Sequence, residues 1–397
     1  MTSSTGRTES KVFFSVAMLL LTAGWAANHF ASLIVVFRQD MGLSPLLVNI
    51  AFGVYAIGLL PSLLGGGVLA DRFGSRPVVL IGAVAAALGN VSLMAWNDGV
   101  GLMIGRLLVG VGVGLAVSAG TAWAGRLRGV AGTTMAGICL TGGFALGPIA
   151  SGIVAAGFGG NSELGVTVAF ALSVVLSLLA VGYSLVVGDV PLETHEAAVP
   201  GSTAQVAVPT GFARSMALSV PMALWVFACM TTAFVVMAGR VAPQVPIAAV
   251  LVPGIAAIFG FSSALTVQAL GRRRGWGPWS GVVGAVCAAA GFLLAGLAGA
   301  TPPIWLFLIV CVLMGSAYGL CLRQGLTDVE TSAPPARRGA AIGVFYVAAY
   351  LGFGLPALTE VAAQAYGPVP LMIVLASLAI VSAGIRSMQI RSGYLVR

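Results

Sequence analysis

The sequence predicts an all-helical integral membrane protein with twelve transmembrane helices in two pseudo-symmetric six-helix halves. Charged residues make up 8% of the 397 residues and hydrophobic residues 59%, whereas a soluble domain carries about a quarter charged residues. Apolar runs of about 20 residues, long enough to cross a bilayer, recur along the whole chain. Composition and run length together exclude a soluble globular protein.

Charged residues and proline or glycine breaks divide the chain into twelve apolar runs. We place the predicted spans at residues 12–37, 45–70, 77–96, 101–122, 133–157, 165–187, 215–238, 244–270, 278–299, 304–323, 339–362 and 369–387. An even number of spans puts both termini on the same side of the membrane.

The distribution of basic residues predicts the orientation of these spans. With the N-terminus in the cytoplasm, all but three of the 19 lysines and arginines fall on inner segments. The exceptions are Arg38 and Arg240 in outer loops and Arg106 within a span. The positive-inside rule therefore predicts that both termini are cytoplasmic. This asymmetry accounts for the net charge of +8 without a nucleic-acid partner.

The longest polar segment, residues 188–214, separates a predicted N-terminal half (1–187) from a C-terminal half (215–397). The two halves resemble weak repeats, because Gly147-Pro148 in the fifth span corresponds to Leu355-Pro356 in the eleventh. Repeats of this kind generally place a transporter's substrate site between the halves near the bilayer midplane.

The most specific motif lies between the second and third spans, where residues 67–76 read G-V-L-A-D-R-F-G-S-R. Its glycines allow a tight backbone path, and its arginines supply positive charge at headgroup level. The motif resembles the loop between the second and third helices of the major facilitator superfamily of transporters, roughly G-x-L-A-D-R-x-G-R-R. Ser75 stands where a basic residue is usual. Two weaker motifs follow in the superfamily's order and spacing, so the resemblance covers essentially the whole chain.

The resemblance implies alternating access and an inner gate at this loop. In the superfamily, the matching aspartate docks across the two halves and helps to hold the inner side closed. Span 11 begins on the same side, and its helix N-terminus carries partial positive charge. We therefore assign a gating set consisting of Gly67, Asp71, Arg72, Gly74, Arg76, Arg337 and Arg338. The alternative interpretation is a solvated turn that only obeys the positive-inside rule.

Arg106 is the arginine that lies well inside an apolar run, where a charge costs about 2.5–3.5 kcal/mol. The pattern Arg106-x3-Gly110-x-Gly112 resembles the superfamily motif in the fourth helix. The resemblance links this arginine to proton coupling or to contact with an anion. A structural arginine that donates to neighbouring backbone carbonyls is the alternative.

His29 in the first span lies at a depth similar to that of Arg106, counting about 1.5 Å of rise per residue. It shares a helix face with Trp25 and Ser32 and follows Asn28. Histidine titrates near neutral pH, so His29 and Arg106 are candidates for one shared coupling site. A neutral histidine satisfied by a neighbouring carbonyl is equally compatible with the sequence.

The acidic residues restrict the choice of a proton carrier, because no Asp or Glu lies near a span centre. Asp328 and Glu330 fall on the inner side, beyond the tenth span, and Glu360 lies about one turn inside the outer end of the eleventh. Proton coupling must therefore use His29 or Glu360, or be absent.

The fifth span contains Gly143-x3-Gly147-Pro148-x2-Ser151-Gly152. Pro148 removes a helical hydrogen bond and kinks the helix, while the glycines form a flat face for close packing. The pattern resembles the superfamily's antiporter motif G-x3-G-P-x2-G-G, with Ser151 replacing one glycine. This resemblance favours export over import.

Four tyrosines are candidates to line a cavity for apolar or cationic substrates, since aromatic rings bind both. They are Tyr55, Tyr318, Tyr346 and Tyr350. Packing within the helix bundle or contact with lipid is the alternative role for each of them.

The sequence thus predicts a secondary transporter, with proton-coupled efflux of a small amphipathic compound as the preferred function. One alternative is uptake or facilitated transport of an anionic metabolite held by Arg106 and His29, and another is a non-transporting receptor or channel. The glycine clusters lie within spans and lack the strand-turn-helix context of a phosphate loop, and the five cysteines lack metal-ligand spacing. We expect no enzyme activity, no cofactor and no metal, and a monomer in a bacterial inner membrane.

Overall fold

A computed structural model describes residues 2–96, 98–158, 163–188, 211–334 and 337–394. Within these ranges all regular structure is helical, and twelve helices are long and apolar enough to cross a membrane. They are α1 (Thr8–Gln39), α2 (Pro45–Phe73), α3 (Ser75–Ala95), α4 (Gly99–Gly129), α5 (Ala131–Gly157), α6 (Glu163–Val187), α7 (Phe212–Gln244), α8 (Pro246–Arg273), α9 (Trp279–Leu297), α10 (Ile304–Ser332), α11 (Arg338–Tyr366) and α12 (Pro370–Arg391). The predicted fold class is confirmed.

The chain divides into two compact units, Met1–Gly201 and Ser202–Arg397. The first contains α1–α6 and the second α7–α12. Most of the segment assigned to a linker, residues 189–210, lies outside the described residues.

Two helices of the C-terminal unit extend further than their apolar runs indicate. α10 continues to Ser332 and α12 to Arg391, so Asp328 and Arg386 both lie within helices and both are buried. That both residues lie on the inner side stays a prediction, but their burial departs from the sequence analysis, which ended the tenth span at residue 323. The physical reason is that their opposite charges compensate each other inside the unit, which makes burial tolerable.

Several helices depart from α-helical geometry at their centres. The first helix is interrupted at His29, between Thr2–Asn28 and Phe30–Gln39. α7 contains a π-helical turn at Thr232–Met237, and α11 contains a 3₁₀ turn at Leu351–Gly354. Such irregular turns inside long helices often mark functional sites or hinges.

Glycines in α4 bring its backbone against two neighbouring helices and orient Arg106. A Cβ atom at Gly110 would clash with the Tyr55 carbonyl of α2, and one at Gly112 would clash with the backbone of Ala86 in α3. Arg106 lies one turn before Gly110 on the same helix face. The close α2–α4 contact therefore directs Arg106 toward α2.

Candidate functional site

The guanidinium of Arg106 is buried inside the N-terminal unit. The residue is 0% exposed. Its Nη1 donates to the Ala27 carbonyl of α1 at 3.2 Å, and its Nη2 donates to the Phe52 carbonyl of α2 at 3.4 Å. Its Cζ lies 4.8 Å from the ring centre of Phe30, 5.6 Å from that of Phe52 and 4.6 Å from that of Tyr55. Carbonyl dipoles and aromatic faces, which attract cations, thus stabilise this charge in place of an acid.

His29 is bonded to different helices from Arg106. Its Nε2 lies 2.9 Å from Asn90 Oδ1 in α3, and Asn90 Nδ2 donates to Ser173 Oγ in α6 at 3.1 Å. Because the Asn90 amide nitrogen already donates, its oxygen accepts, and we assign the proton to His29 Nε2. Arg106 is near enough to interact electrostatically with His29, but no hydrogen bond joins the two in the described part of the chain. The structure links His29 to α3 and α6 through Asn90, and a coupling site shared by His29 and Arg106 stays a prediction.

The α1–α5 crossing contains the glycines of the predicted kink motif. A Cβ atom at Gly143 would clash with the Leu21 carbonyl of α1, and one at Gly147 would lie 2.9 Å from the Trp25 carbonyl oxygen. Gly152 is buried one turn further along α5. These glycines therefore determine how closely the two helices approach.

Polar side chains of α1 complete the hydrogen bonding of this kink. Pro148 has no N–H to donate to the Phe144 carbonyl, four residues earlier in α5. Asn28 Nδ2 donates to that carbonyl at 3.4 Å, and Ser32 Oγ donates to the Pro148 carbonyl at 2.6 Å. Asn28 thus has a structural role at the kink, which helical spacing alone did not reveal.

Aromatic side chains from four helices of the C-terminal unit meet around Phe227 of α7. The Phe227 ring stacks on Tyr350 at a centroid distance of 4.4 Å, and it lies 5.1 Å from Phe353 and 6.0 Å from Tyr318. These separations are typical of favourable aromatic pairs. We call this set the aromatic cluster, and its members are Phe227, Phe261, Tyr318, Tyr346, Tyr350 and Phe353.

The irregular turns of α7 and α11 meet beside the aromatic cluster. Thr231 Oγ1, just before the π-helical turn, donates to the Gly352 carbonyl in the 3₁₀ turn at 2.9 Å. A Cβ atom at Gly352 would clash with the Ala228 backbone nitrogen. The two irregular turns therefore touch where the aromatic rings gather.

A buried ion pair joins α10 to α12. Asp328 Oδ1 accepts from Arg386 Nη2 at 2.8 Å, and the two side chains are 4% and 1% exposed. Gln324 Nε2 donates to the same oxygen at 2.8 Å, and Gln324 Oε1 accepts from Ser280 Oγ of α9 at 2.7 Å. We call these four residues the ion-pair network.

The predicted gating residues lie at helix ends. Asp71 and Arg72 are exposed in the last turn of α2, and Gly74, with φ 89°, ends that helix in a conformation that favours glycine. Gly67 lies one turn earlier, and a Cβ atom there would meet only Ser118 Oγ, at 3.7 Å. In the C-terminal unit, Arg337 and Arg338 are exposed at the start of α11.

Arg76 and Ser75 connect the start of α3 to neighbouring helices. Arg76 Nη2 donates to the Ser184 carbonyl at 2.8 Å, near the C-terminus of α6, where a cation is favoured by the helix dipole. Ser75 Oγ accepts a hydrogen bond from Arg126 of α4. The unusual serine in the motif is therefore paired with an arginine from another helix.

A family model described as Major Facilitator Superfamily matches residues 14–357. The chain belongs to the major facilitator superfamily. It is accordingly a multi-pass membrane transporter of small molecules and not an enzyme, as the sequence predicted.

Curated relatives of this superfamily member include the multidrug resistance protein MdtL. The protein from Klebsiella pneumoniae (strain 342) is 34% identical over 76 residues, and that from Salmonella typhi is 33% identical over 75 residues. Each match covers 19% of this chain and 19% of the relative. The chain thus matches less than a fifth of the length of these relatives.

Solved transporter structures share the fold at low sequence identity. A POT family transporter in complex with 5-aminolevulinic acid has a TM-score of 0.76 and 15% identity, covering 98% of this chain and 97% of the other. A variant of the nucleoside transporter NupG has a TM-score of 0.70 and 17% identity, covering 96% and 99%. At these identities, the likeness extends to the fold alone.

The structure groups some of the predicted site residues of this transporter and separates others. Tyr55 contacts Arg106, and Tyr318, Tyr346 and Tyr350 come together in the aromatic cluster. Glu360 is partly exposed in α11, where it accepts from Gln364 at 3.4 Å. Sequence reasoning missed the phenylalanines of the cluster and the ion-pair network. The spacing of Gln324 and Asp328, one helical turn apart beyond an apolar run, was the available signal for the network.

Proposed function

We propose that this transporter exports a small amphipathic compound, apolar or cationic, in exchange for protons. It does so by alternating access, with both termini in the cytoplasm and the gating set on the inner side. The observation that carries the proposal is the aromatic cluster of the C-terminal unit.

The aromatic cluster supports an apolar or cationic substrate over an anionic one. Aromatic faces attract organic cations without an acidic partner, and their large apolar area binds uncharged rings equally well. No arginine stacks on Phe227 or Tyr318 in the part of the chain that the structure describes. Phe227 is also only half-buried, as a residue that contacts the substrate should be.

The contacts of Arg106 argue against the anionic alternative. Both terminal nitrogens already donate to backbone carbonyls, and aromatic rings cover the guanidinium. An anion would have to displace these contacts, and the residue is 0% exposed. We therefore interpret Arg106 as a structural charge that holds α1, α2 and α4 together.

The direction of transport is inferred from two weaker supports. The kink motif Gly143-x3-Gly147-Pro148 resembles that of the superfamily's antiporters, and its glycines lie in the close α1–α5 contact. The partial matches to MdtL, a multidrug resistance protein by name, agree with export. Both supports favour an antiporter that expels its substrate.

Reconstitution in liposomes with a trapped pH dye tests this function. We expect protons that move down an imposed pH gradient to drive cationic dyes in the opposite direction, with matching fluxes of dye and protons. Small organic acids serve as the comparison class. Flux of an organic acid that ignores pH and requires Arg106 would contradict the proposal and favour the anionic alternative.

Phe227→Leu tests the aromatic cluster directly, because leucine keeps apolar volume but removes the π face. We expect the KM for a cationic dye to rise about 2- to 30-fold, as about 0.5–2 kcal/mol of cation–π attraction implies. The KM for an uncharged analogue should change less. Phe259→Leu, at an exposed phenylalanine of α8, is the matched control. Equal effects of both substitutions on both substrates would remove the cluster from the binding site.

A further inference from the structure

We propose that Asp328 is the proton-binding residue of this transporter and that Oδ2 of its carboxylate carries the proton exchanged for substrate. The inference rests on the proposed proton-coupled export and names the residue that performs the coupling. It replaces His29 and Glu360, the two candidates that the sequence offered.

The two oxygens of Asp328 have different surroundings. Oδ1 accepts from Arg386 Nη2 and from Gln324 Nε2, each at 2.8 Å. Oδ2 is buried and has no hydrogen-bond partner in the described residues. Among the described residues, Asp328 is the one acid that is buried. A proton can therefore bind at Oδ2 without breaking either hydrogen bond to Oδ1.

Protonation changes the charge of the ion-pair network and adds one hydrogen-bond donor to it. One proton added to Oδ2 converts the carboxylate to a carboxylic acid, while Arg386 keeps its proton and its charge. The compensated pair then becomes a buried cation beside a new O–H donor. Arg386 Nε and Nη1 also lack partners in the described residues, and as donors they cannot satisfy that new O–H.

The protonated network has more hydrogen-bond donors than acceptors, and this excess couples proton binding to helix movement. The deprotonated pair compensates its own charge and is stable while both side chains are buried. The protonated pair needs acceptors, which water provides, so it favours an arrangement in which the network is hydrated. Proton occupancy thereby selects between two arrangements of the same helices, as coupling between linked sites requires.

The other charged groups on the packed helices have different contacts. From α12, Arg386 is the charge that meets Asp328. Arg214 of α7 donates to the Tyr394 carbonyl, and Arg323 of α10 lies by Gly271 on α8. Arg338 of α11 is exposed, and α9 contributes the uncharged Ser280 through Gln324. The titration of Asp328 is therefore governed by burial, by the Arg386 guanidinium and by the hydrogen bond from Gln324.

The test compares two reactions of the same protein in liposomes. Net efflux of a cationic dye driven by a pH gradient requires a proton to bind and leave in each cycle, whereas exchange of labelled for unlabelled dye does not. We expect Asp328→Asn to lower gradient-driven efflux about 5- to 150-fold, the usual range of coupling between linked sites, and to leave exchange nearly unchanged. Asp328→Glu should retain gradient-driven efflux. Glu330→Gln, at an exposed acid two residues away, is the matched control and should behave as the wild type.

A second variant separates coupling from folding. Asp328→Asn combined with Arg386→Gln removes both charges, so it lacks the uncompensated guanidinium. Exchange without gradient-driven efflux in this double variant would support the inference even where the single variant is unstable. Gradient-driven efflux that survives in either variant, or a proportional loss of both reactions in a double variant that elutes as a folded protein, would overturn it. A wild type that moves dye without any proton flux would instead refute the proposed function.

Discussion

The two units of this transporter stabilise a buried arginine by different means. In the N-terminal unit, Arg106 meets two backbone carbonyls and the rings of Phe30, Phe52 and Tyr55. In the C-terminal unit, Arg386 meets the carboxylate of Asp328. Backbone carbonyls and phenyl rings do not titrate and a tyrosine phenol does so only at about pH 10, whereas a carboxylate exchanges its proton much more readily. We infer from this difference that Arg106 is a constant structural element and that Arg386, beside the proposed proton site, belongs to a pH-sensitive one.

The largest effect should come from removing the acid and leaving its partner. Asp328→Leu removes the carboxylate and both acceptor oxygens, so Arg386 becomes an uncompensated buried charge. Breaking a buried pair in this way costs about 3–5 kcal/mol. We expect a loss of this size in the free energy of unfolding, measured by SDS titration in mixed micelles with tryptophan fluorescence.

Two further variants sharpen this comparison between the arginines. Asp328→Leu combined with Arg386→Met should recover most of the lost stability, because an apolar pair of similar volume can replace a buried ion pair. Arg106→Met should cost only about 1–2 kcal/mol, mainly lost cation–π contact, because it leaves no opposite charge behind. A loss as large for Arg106→Met as for Asp328→Leu would show that the two arginines are not held differently.

Hydropathy was sufficient to predict the fold, and a charge in an apolar run was sufficient to find Arg106. Asp328 escaped because it follows the last uninterrupted apolar run of α10, and its compensating partner lies 58 residues away in the sequence. The aromatic cluster could not be predicted from the sequence for a related reason. Helical spacing shows which residues share a face of one helix, but not which faces of four helices meet around Phe227.

The close helix crossings of the two units can also be compared. We expect substitutions at these crossings to have an intermediate effect on stability. Gly143 in α5 and Gly352 in α11 have no room for a Cβ atom, because each lies against the backbone of the facing helix. Gly142 and Gly354, close by on the same helices, have nothing within 4 Å of such an atom. We expect Gly143→Ala and Gly352→Ala each to lose about 1–3 kcal/mol through overpacking.

The matched controls for this prediction are Gly142→Ala and Gly354→Ala. Alanine favours a helix over glycine by about 0.5–1 kcal/mol, so these two should be neutral or stabilising in the same SDS titration. Similar destabilisation at all four positions would mean that the crossings do not depend on close backbone contact. Destabilisation in one unit alone would show that only that unit is packed through its glycines.

The smallest effect should come from a substitution at His29. This substitution tests whether the proton-binding residue lies in the N-terminal or the C-terminal unit. His29→Gln retains a side-chain donor for Asn90 Oδ1, so the chain of hydrogen bonds through Asn90 to Ser173 can persist. We expect a change of less than about 1 kcal/mol, the net value of one hydrogen bond, and gradient-driven efflux close to that of the wild type. If His29→Gln abolished gradient-driven efflux but kept exchange, the titrating group would lie in the N-terminal unit. The hydrogen-bonded network of α1, α3 and α6 would then carry the proton. The pH-sensitive site would lie in the same unit as Arg106, and Asp328 would be a structural residue.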